Sequence, residues 1–132
     1  MHMEFDIEYI KPAMAECGLV YYGCCEPLDK KMDIVEKILN LRKVSITPWA
    51  DVNIAAEAIG HKFVLSSKPN PASVAGIHLD HANLKKEITS ILDACSRNGC
   101  SCELVLKDIS TCCGHPQNIF EWEQIVMEIV KS

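Results

Sequence analysis

The stretch that decides the fold is residues 44–65, VSITPWADVNIAAEAIGHKFVL, where a helical run lies between two short β-rich runs. Residues 44–46 and 63–65 are predicted strands because β-branched and aromatic residues favour strands. Asp51 is a predicted helix N-cap, and Gly60 is predicted to end the same helix. Strands that are joined by a helix pair in parallel through a right-handed crossover. The stretch therefore predicts a βαβ unit.

The same alternation continues on both sides of this unit. Further strands are predicted at residues 19–22 and 102–107, and helices at about 6–17, 28–40, 83–97 and 117–131. The order is one helix followed by four βα units, which predicts an α/β protein with parallel strands. Two architectures fit this order, an open doubly wound sheet and half of a (β/α)8 barrel.

Length and composition predict one domain, residues 1–132, of a globular protein with 48% hydrophobic and 23% charged residues. Met1-His2-Met3 resembles a cloning scar and receives no role. The net charge of −5 and the scattered lysines argue against nucleic acid as a partner. No apolar run reaches the roughly 18 residues of a membrane span. The first ten residues lack a signal peptide, which predicts a cytoplasmic protein.

Eight cysteines are many for this length, and we interpret them as thiols rather than disulfides. Two adjacent pairs stand out, Cys24-Cys25 and Cys112-Cys113. Thiolates and imidazole suit zinc, so one cysteine of each pair together with His115 could bind it. The alternative is that several of these cysteines are small buried hydrophobic residues. Ordinary packing is the better interpretation for the remaining four, which are Cys17, Cys95, Cys100 and Cys102.

Polar and sulfur-bearing segments follow all four predicted strands, at residues 23–26, 47–51, 66–70 and 108–115. Ligands of parallel α/β proteins bind at the carboxyl ends of the strands. Glu26 and Asp108 are candidate acids or bases there, and Lys68 is a candidate anion contact. The sequence holds no glycine-rich phosphate loop and no nucleophile-elbow motif.

At these segments the chain resembles the superfamily of uroporphyrinogen decarboxylases and cobalamin-dependent methyltransferases. The resemblance is carried by YYGCCEPL (21–28), SITPWAD (45–51), KPNP (68–71) and LKDIST (106–111), in the order and spacing of the last four barrel strands. It covers nearly the whole chain. It implies the C-terminal half of a TIM (β/α)8 barrel.

The resemblance also implies a chemistry. The methyltransferases transfer a methyl group from methylcobalamin to a thiol that zinc activates, with ligands that include a His-x-Cys on one strand and a cysteine near the last strand. Tyr22 stands at the histidine position and Cys24 at the cysteine position, so Cys112, Cys113 or His115 would complete the metal site. The candidate catalytic residues are Glu26 and Asp108, and the candidate cofactor-binding residues are Trp49, Lys68 and Asn70.

The decarboxylases, which need no metal, are the other branch of this superfamily, and their catalytic arginines and aspartate lie in the half that this chain does not contain. A half-barrel exposes sheet edges and, we expect, half of an apolar interior. The chain is therefore predicted to be inactive alone and to pair with a missing barrel half or to form a homo-oligomer. The alternative is a non-catalytic, self-associating half-barrel with structural or metal-holding cysteines.

Overall fold

The computed structural model describes residues 6–23 and 25–132. Its strands are β1 (Val20–Tyr22), β2 (Leu41–Ile46), β3 (Val64–Ser67) and β4 (Ser101–Leu104). Its α-helices are α1 (Glu8–Ala15), α2 (Met32–Val35), α3 (Val52–Ile59), α4 (His81–Arg97) and α5 (Gln117–Lys131). A 3-10 helix, Pro71–Val74, precedes α4.

The four strands form one parallel sheet in the order β1-β2-β3-β4. The predicted α/β fold, four parallel strands alternating with helices, is confirmed. A doubly wound sheet reverses its strand order so that helices cover both faces. This order shows no reversal, and right-handed crossovers then place consecutive helices on the same face. Contacts between α2 and α3, α3 and α4, and α4 and α5 fit such a single helical layer.

The two faces of the sheet differ in chemistry because side chains alternate along each strand. The apolar face is buried in the core and includes Val20, Tyr22, Val44, Ile46 and Leu65, with the buried Ser67 beside Ile46. The polar face carries, in matching register, Tyr21, Lys43, Ser45, Ser66 and Glu103. The expected apolar interior is therefore wrong for most of this face, because the strand positions that alternate with the core residues carry charges and hydroxyls except at Val64.

The central βαβ unit forms as its sequence predicts. The Asp51 side chain accepts hydrogen bonds from the backbone N–H groups of Asn53 and Ile54, at 2.9 and 3.3 Å. Gly60 follows the helix with φ +50°, a conformation that glycine adopts without steric cost. The last two helices begin within two residues of their predicted starts, and α5 matches its prediction at both ends.

The predicted helix over residues 28–40 is largely replaced by turns around the four-residue α2. The N–H groups of Lys37 and Ile38 donate to the carbonyls of Ile34 and Val35, both at 3.1 Å. These hydrogen bonds join residues three apart, which gives a tighter turn than an α-helix. These turns still bury Leu28, Met32, Val35 and Ile38, whereas Leu39 is exposed. Helical spacing of apolar residues was therefore compatible with a more irregular chain.

Candidate functional site

A cavity of about 170 Å³ lies at the carboxyl ends of the strands. The connection after each of the four strands contributes to its wall. These contributions are Cys25 after β1, Thr47 and Trp49 after β2, Lys68 after β3, and Lys107 and Asp108 after β4. The structure therefore brings together three of the residues that the sequence singled out, which are Trp49, Lys68 and Asp108.

Lys68 is the most unusual residue of this cavity, because only 6% of its surface is exposed. Its ammonium group donates hydrogen bonds to the hydroxyls of Tyr21 and Ser66. Within the described ranges, no carboxylate lies at ion-pair distance from it. A buried charge is costly unless it is compensated, so this ammonium group has a strong preference for nearby negative charge.

Tyr21 joins Lys68 to the rest of the polar face. Its hydroxyl lies 2.9 Å from the Ser66 hydroxyl, which also contacts Lys68. The ammonium groups of Lys43 and Lys68 lie 5.0 and 5.2 Å from the centre of its ring. Burial by itself raises the pKa of Tyr21, but the hydrogen bonds from Lys68 and Ser66 outweigh it and leave the pKa below its ordinary value.

Glu103 on β4 closes the polar face on the side opposite Tyr21. Lys43 Nζ donates to Glu103 Oε2 at 2.8 Å across the intervening strand. The hydrogen bond from Lys43 holds the pKa of Glu103 below its ordinary value. Because Lys43 also lies over the Tyr21 ring, the tyrosine, serine, lysine and glutamate side chains form one continuous network of polar contacts that spans β1 to β4.

Asp108 lies just past β4 with φ +60°, a left-handed conformation that is uncommon outside glycine. Its Oδ2 atom is 3.0 Å from Lys107 Nζ, and this hydrogen bond raises the pKa of Lys107. Asp108 thus keeps its place as a candidate acid or base at the cavity. In this arrangement the carboxylate of Asp108 is paired with the ammonium group of Lys107.

Two other predicted site residues, Glu26 and Asn70, do not line the cavity. Glu26 pairs with Lys31 and lines a separate depression that shares Trp49 with the cavity. Asn70 serves as a cap, because its side chain accepts from the N–H group of Ala72 at 3.0 Å. Neither side chain contributes to the cavity wall.

The predicted zinc site is only partly described, since Cys24 lies outside the described residues. His115 Nδ1 is 3.0 Å from Gln117 Nε2, and Cys113 donates its N–H to Thr111 Oγ1 at 3.1 Å. Over residues 6–23 and 25–132, no three histidine, cysteine, aspartate or glutamate side chains are grouped as metal ligands. The described donors alone do not make a zinc site, so that hypothesis depends on Cys24.

A second group of thiols lies between α4 and β4. Cys95 and Cys100 are buried, and Cys102 is partly buried. Burial, followed by the neighbouring Cys95, raises the pKa of Cys100 to about 11. All seven cysteines that the structure describes are free thiols. Burial of Cys95 and Cys100 fits the packing role predicted for them.

Sequence reasoning missed Tyr21, Lys43, Ser45, Ser66 and Glu103. The observed β2 and β3 extend beyond the predicted strands 44–46 and 63–65 to include Lys43 and Ser66, and the polar side chains within the predicted strands had no assigned role. The available signal was period-two alternation, which places residues two apart on one face of a strand. Applied to β2 and β3, this rule puts Lys43 beside Ser45, and Ser66 beside Lys68.

Comparisons with protein families, curated proteins and solved structures find no match for this chain. None of the described helices has the length and apolar character needed to cross a membrane.

Proposed function

We propose that this chain is the C-terminal half of a (β/α)8 barrel of the uroporphyrinogen decarboxylase and cobalamin-dependent methyltransferase superfamily. The observation that carries the proposal is that all four βα connections of a sequentially ordered parallel sheet line one cavity. In barrel enzymes the active site is built from these connections. The quoted sequence segments that resemble the superfamily are the same connections.

The proposed reaction is methyl transfer from methylcobalamin to a thiol, or porphyrinogen decarboxylation, in the complete barrel. Trp49, Lys68 and Asp108 support it by position, since they meet at the cavity. Glu26 and Asn70 receive less support because neither lines the cavity. Zinc remains part of the proposal only through Cys24 with Cys112, Cys113 or His115, and no step is assigned to it.

The polar face supports pairing with a missing barrel half or with a second copy. A barrel interior is enclosed by its own strands, and here Tyr21 is 51% exposed. A covering partner would find charges and hydroxyls on this face. We therefore expect polar complementarity, in addition to the pairing of sheet edges, to hold the partner.

The test is reconstitution. The chain is mixed with a polypeptide that supplies the first four βα units of a superfamily barrel, and light scattering reports assembly. We expect the assembled pair, but not the chain alone, to transfer methyl groups from methylcobalamin to 2-mercaptoethanol or to decarboxylate uroporphyrinogen. A well-assembled pair without either activity would contradict the proposal.

Matched cysteine variants sharpen the metal question. Cys112→Ala and Cys113→Ala should each lower the zinc content of the pair, whereas Cys17→Ala should not, because Cys17 lies at the end of α1. Equal zinc in all variants would remove these cysteines from the proposed metal site.

A further inference from the structure

The polar face brings a phenol and an ammonium group into direct contact beside open space. Lys68 Nζ donates to Tyr21 Oη, and Ser66 Oγ lies 2.9 Å from the same oxygen. Tyr21 and Lys68 also line a depression of about 290 Å³ that shares Cys25 and Lys107 with the cavity. A ligand in this space would therefore meet the tyrosine oxygen with a cation already attached to it.

Of the lysines around the Tyr21 hydroxyl, Lys68 is the one whose ammonium group bonds to its oxygen, because the other two are paired with carboxylates. Lys43 faces the Tyr21 ring from β2, but its ammonium group is paired with Glu103. Lys107, in the connection after β4, lines the same depression as Tyr21 and is paired with Asp108. Cys25, in the connection after β1, is the remaining titratable side chain that lines the depression.

A negative charge on the tyrosine oxygen would thus be compensated at once. Lys68 is buried and, among the described residues, has only the two hydroxyls as side-chain hydrogen-bond partners. Ionisation of Tyr21 would give this buried ammonium group its counter-charge. The same hydrogen bonds lower the pKa of Tyr21, after burial has been overcome.

We propose that Tyr21 exchanges a proton with a weakly acidic ligand bound in this space, and that Lys68 positions and stabilises its phenolate. For a thiol ligand, the phenolate oxygen takes the S–H proton while the electron pair of that bond stays on sulfur. Tyr21 becomes a neutral phenol, and the thiolate lies beside the Lys68 ammonium group. The choice of a thiol rests on the proposed function, whereas proton exchange by Tyr21 does not.

The first experiment compares two tyrosines of the wild-type chain. Benzenesulfonyl fluoride reacts when a phenolate oxygen attacks sulfur and fluoride leaves, and peptide mass spectrometry identifies the labelled residue. Tyr9 is 75% exposed and Tyr21 is 51% exposed, so exposure alone predicts faster labelling of Tyr9. We expect Tyr21 to react faster, and labelling of Tyr21 at or below the rate of Tyr9 would overturn the proposal.

Two variants then test whether Lys68 causes the faster labelling of Tyr21. Lys68→Met should slow labelling of Tyr21 about tenfold, because removal of the ammonium group raises the pKa of Tyr21, and should leave Tyr9 unchanged. Lys43→Met is the control, because Lys43 lies over the ring but makes its hydrogen bond to Glu103. Equal slowing by both variants would mean that Lys68 has no specific role. The wild-type comparison stands even if a variant fails to fold.

Proton transfer is measured as the rate at which the chain converts nitrobenzisoxazole. A base removes the ring C–H proton of this probe, the N–O bond breaks, and a coloured cyanophenolate forms. We expect Tyr21→Phe to lower this rate by about tenfold or more, as for loss of a positioned base, while Tyr22→Phe leaves it unchanged. Unchanged turnover in Tyr21→Phe would reject the proposal. Neither probe uses methylcobalamin, so this result is independent of the reconstitution experiment.

Discussion

The apolar and polar faces of the sheet are built from the same four strands, but residues are buried on them for different physical reasons. Leu65 points into the core and is fully buried, whereas its neighbour Ser66 is equally buried but lies among hydroxyl and ammonium groups. Burial on one face therefore removes apolar surface from water, and on the other face it strengthens hydrogen bonds. The comparison shows that burial alone does not identify which residues hold the fold and which serve the site.

The largest effect is expected on the apolar face. Leu65→Ala should lower the free energy of unfolding by about 2–5 kcal/mol, because it removes buried methyl groups and leaves a cavity. Urea denaturation followed by circular dichroism measures this loss. A cost below about 1 kcal/mol would show that the apolar face tolerates collapse and that the contrast between the faces is weaker than described.

The second-largest loss of stability is expected at Gly23, which is closely packed against the polar face. A Cβ atom at Gly23 would overlap the Ser45 side chain, so Gly23→Ala should cost about 1–3 kcal/mol through overpacking. Gly18→Ala is the matched control, since a Cβ atom there has nothing within 4 Å. Thermal unfolding of both variants measures the difference. Equal melting temperatures would mean that β1 moves aside without cost.

Removing the central hydroxyl of the polar face should cost less. Ser66→Ala breaks the contacts of this hydroxyl with Tyr21 and Lys68, for an expected loss of about 1 kcal/mol. Ser101→Ala, at an exposed position on β4, is the control. Tyrosinate absorbance during a pH titration should also show that the pKa of Tyr21 rises in Ser66→Ala. No change in either quantity would remove Ser66 from the network.

The smallest effect concerns the partly exposed Lys43–Glu103 pair and appears mainly as pH dependence. The pKa of Glu103 is lowered in the folded chain, so its contribution is present above the unfolded pKa and is lost as pH falls through the folded pKa. Glu103→Gln should therefore flatten the loss of stability below about pH 4 and cost less than about 1 kcal/mol near neutrality. Chemical denaturation across this range checks both expectations, and an unchanged acid limb would contradict them.

The fold was predictable where local signals agreed. The cap Asp51, the glycine Gly60 and the flanking β-rich runs all indicate one unit, and the structure confirms it. The region around α2 was not predictable, because turns bury Met32 and Val35 as well as a longer helix would. The polar face was missed because Lys43 and Glu103 meet only after the strands pair, and periodicity within one strand does not reveal its neighbours.

The β2-α3-β3 unit also has a consequence for how the chain folds. Its strands pair from Lys43 to Ile46 with Val64 to Ser67, so their contacts are separated by only about twenty residues. Its helix carries its own start and stop signals, Asp51 and Gly60. Closing this short loop costs little entropy, so we expect the unit to be an early folding nucleus onto which β1 and β4 add later. In native-state hydrogen exchange, its amides should open only with global unfolding, whereas those of the edge strand β1 should open sooner.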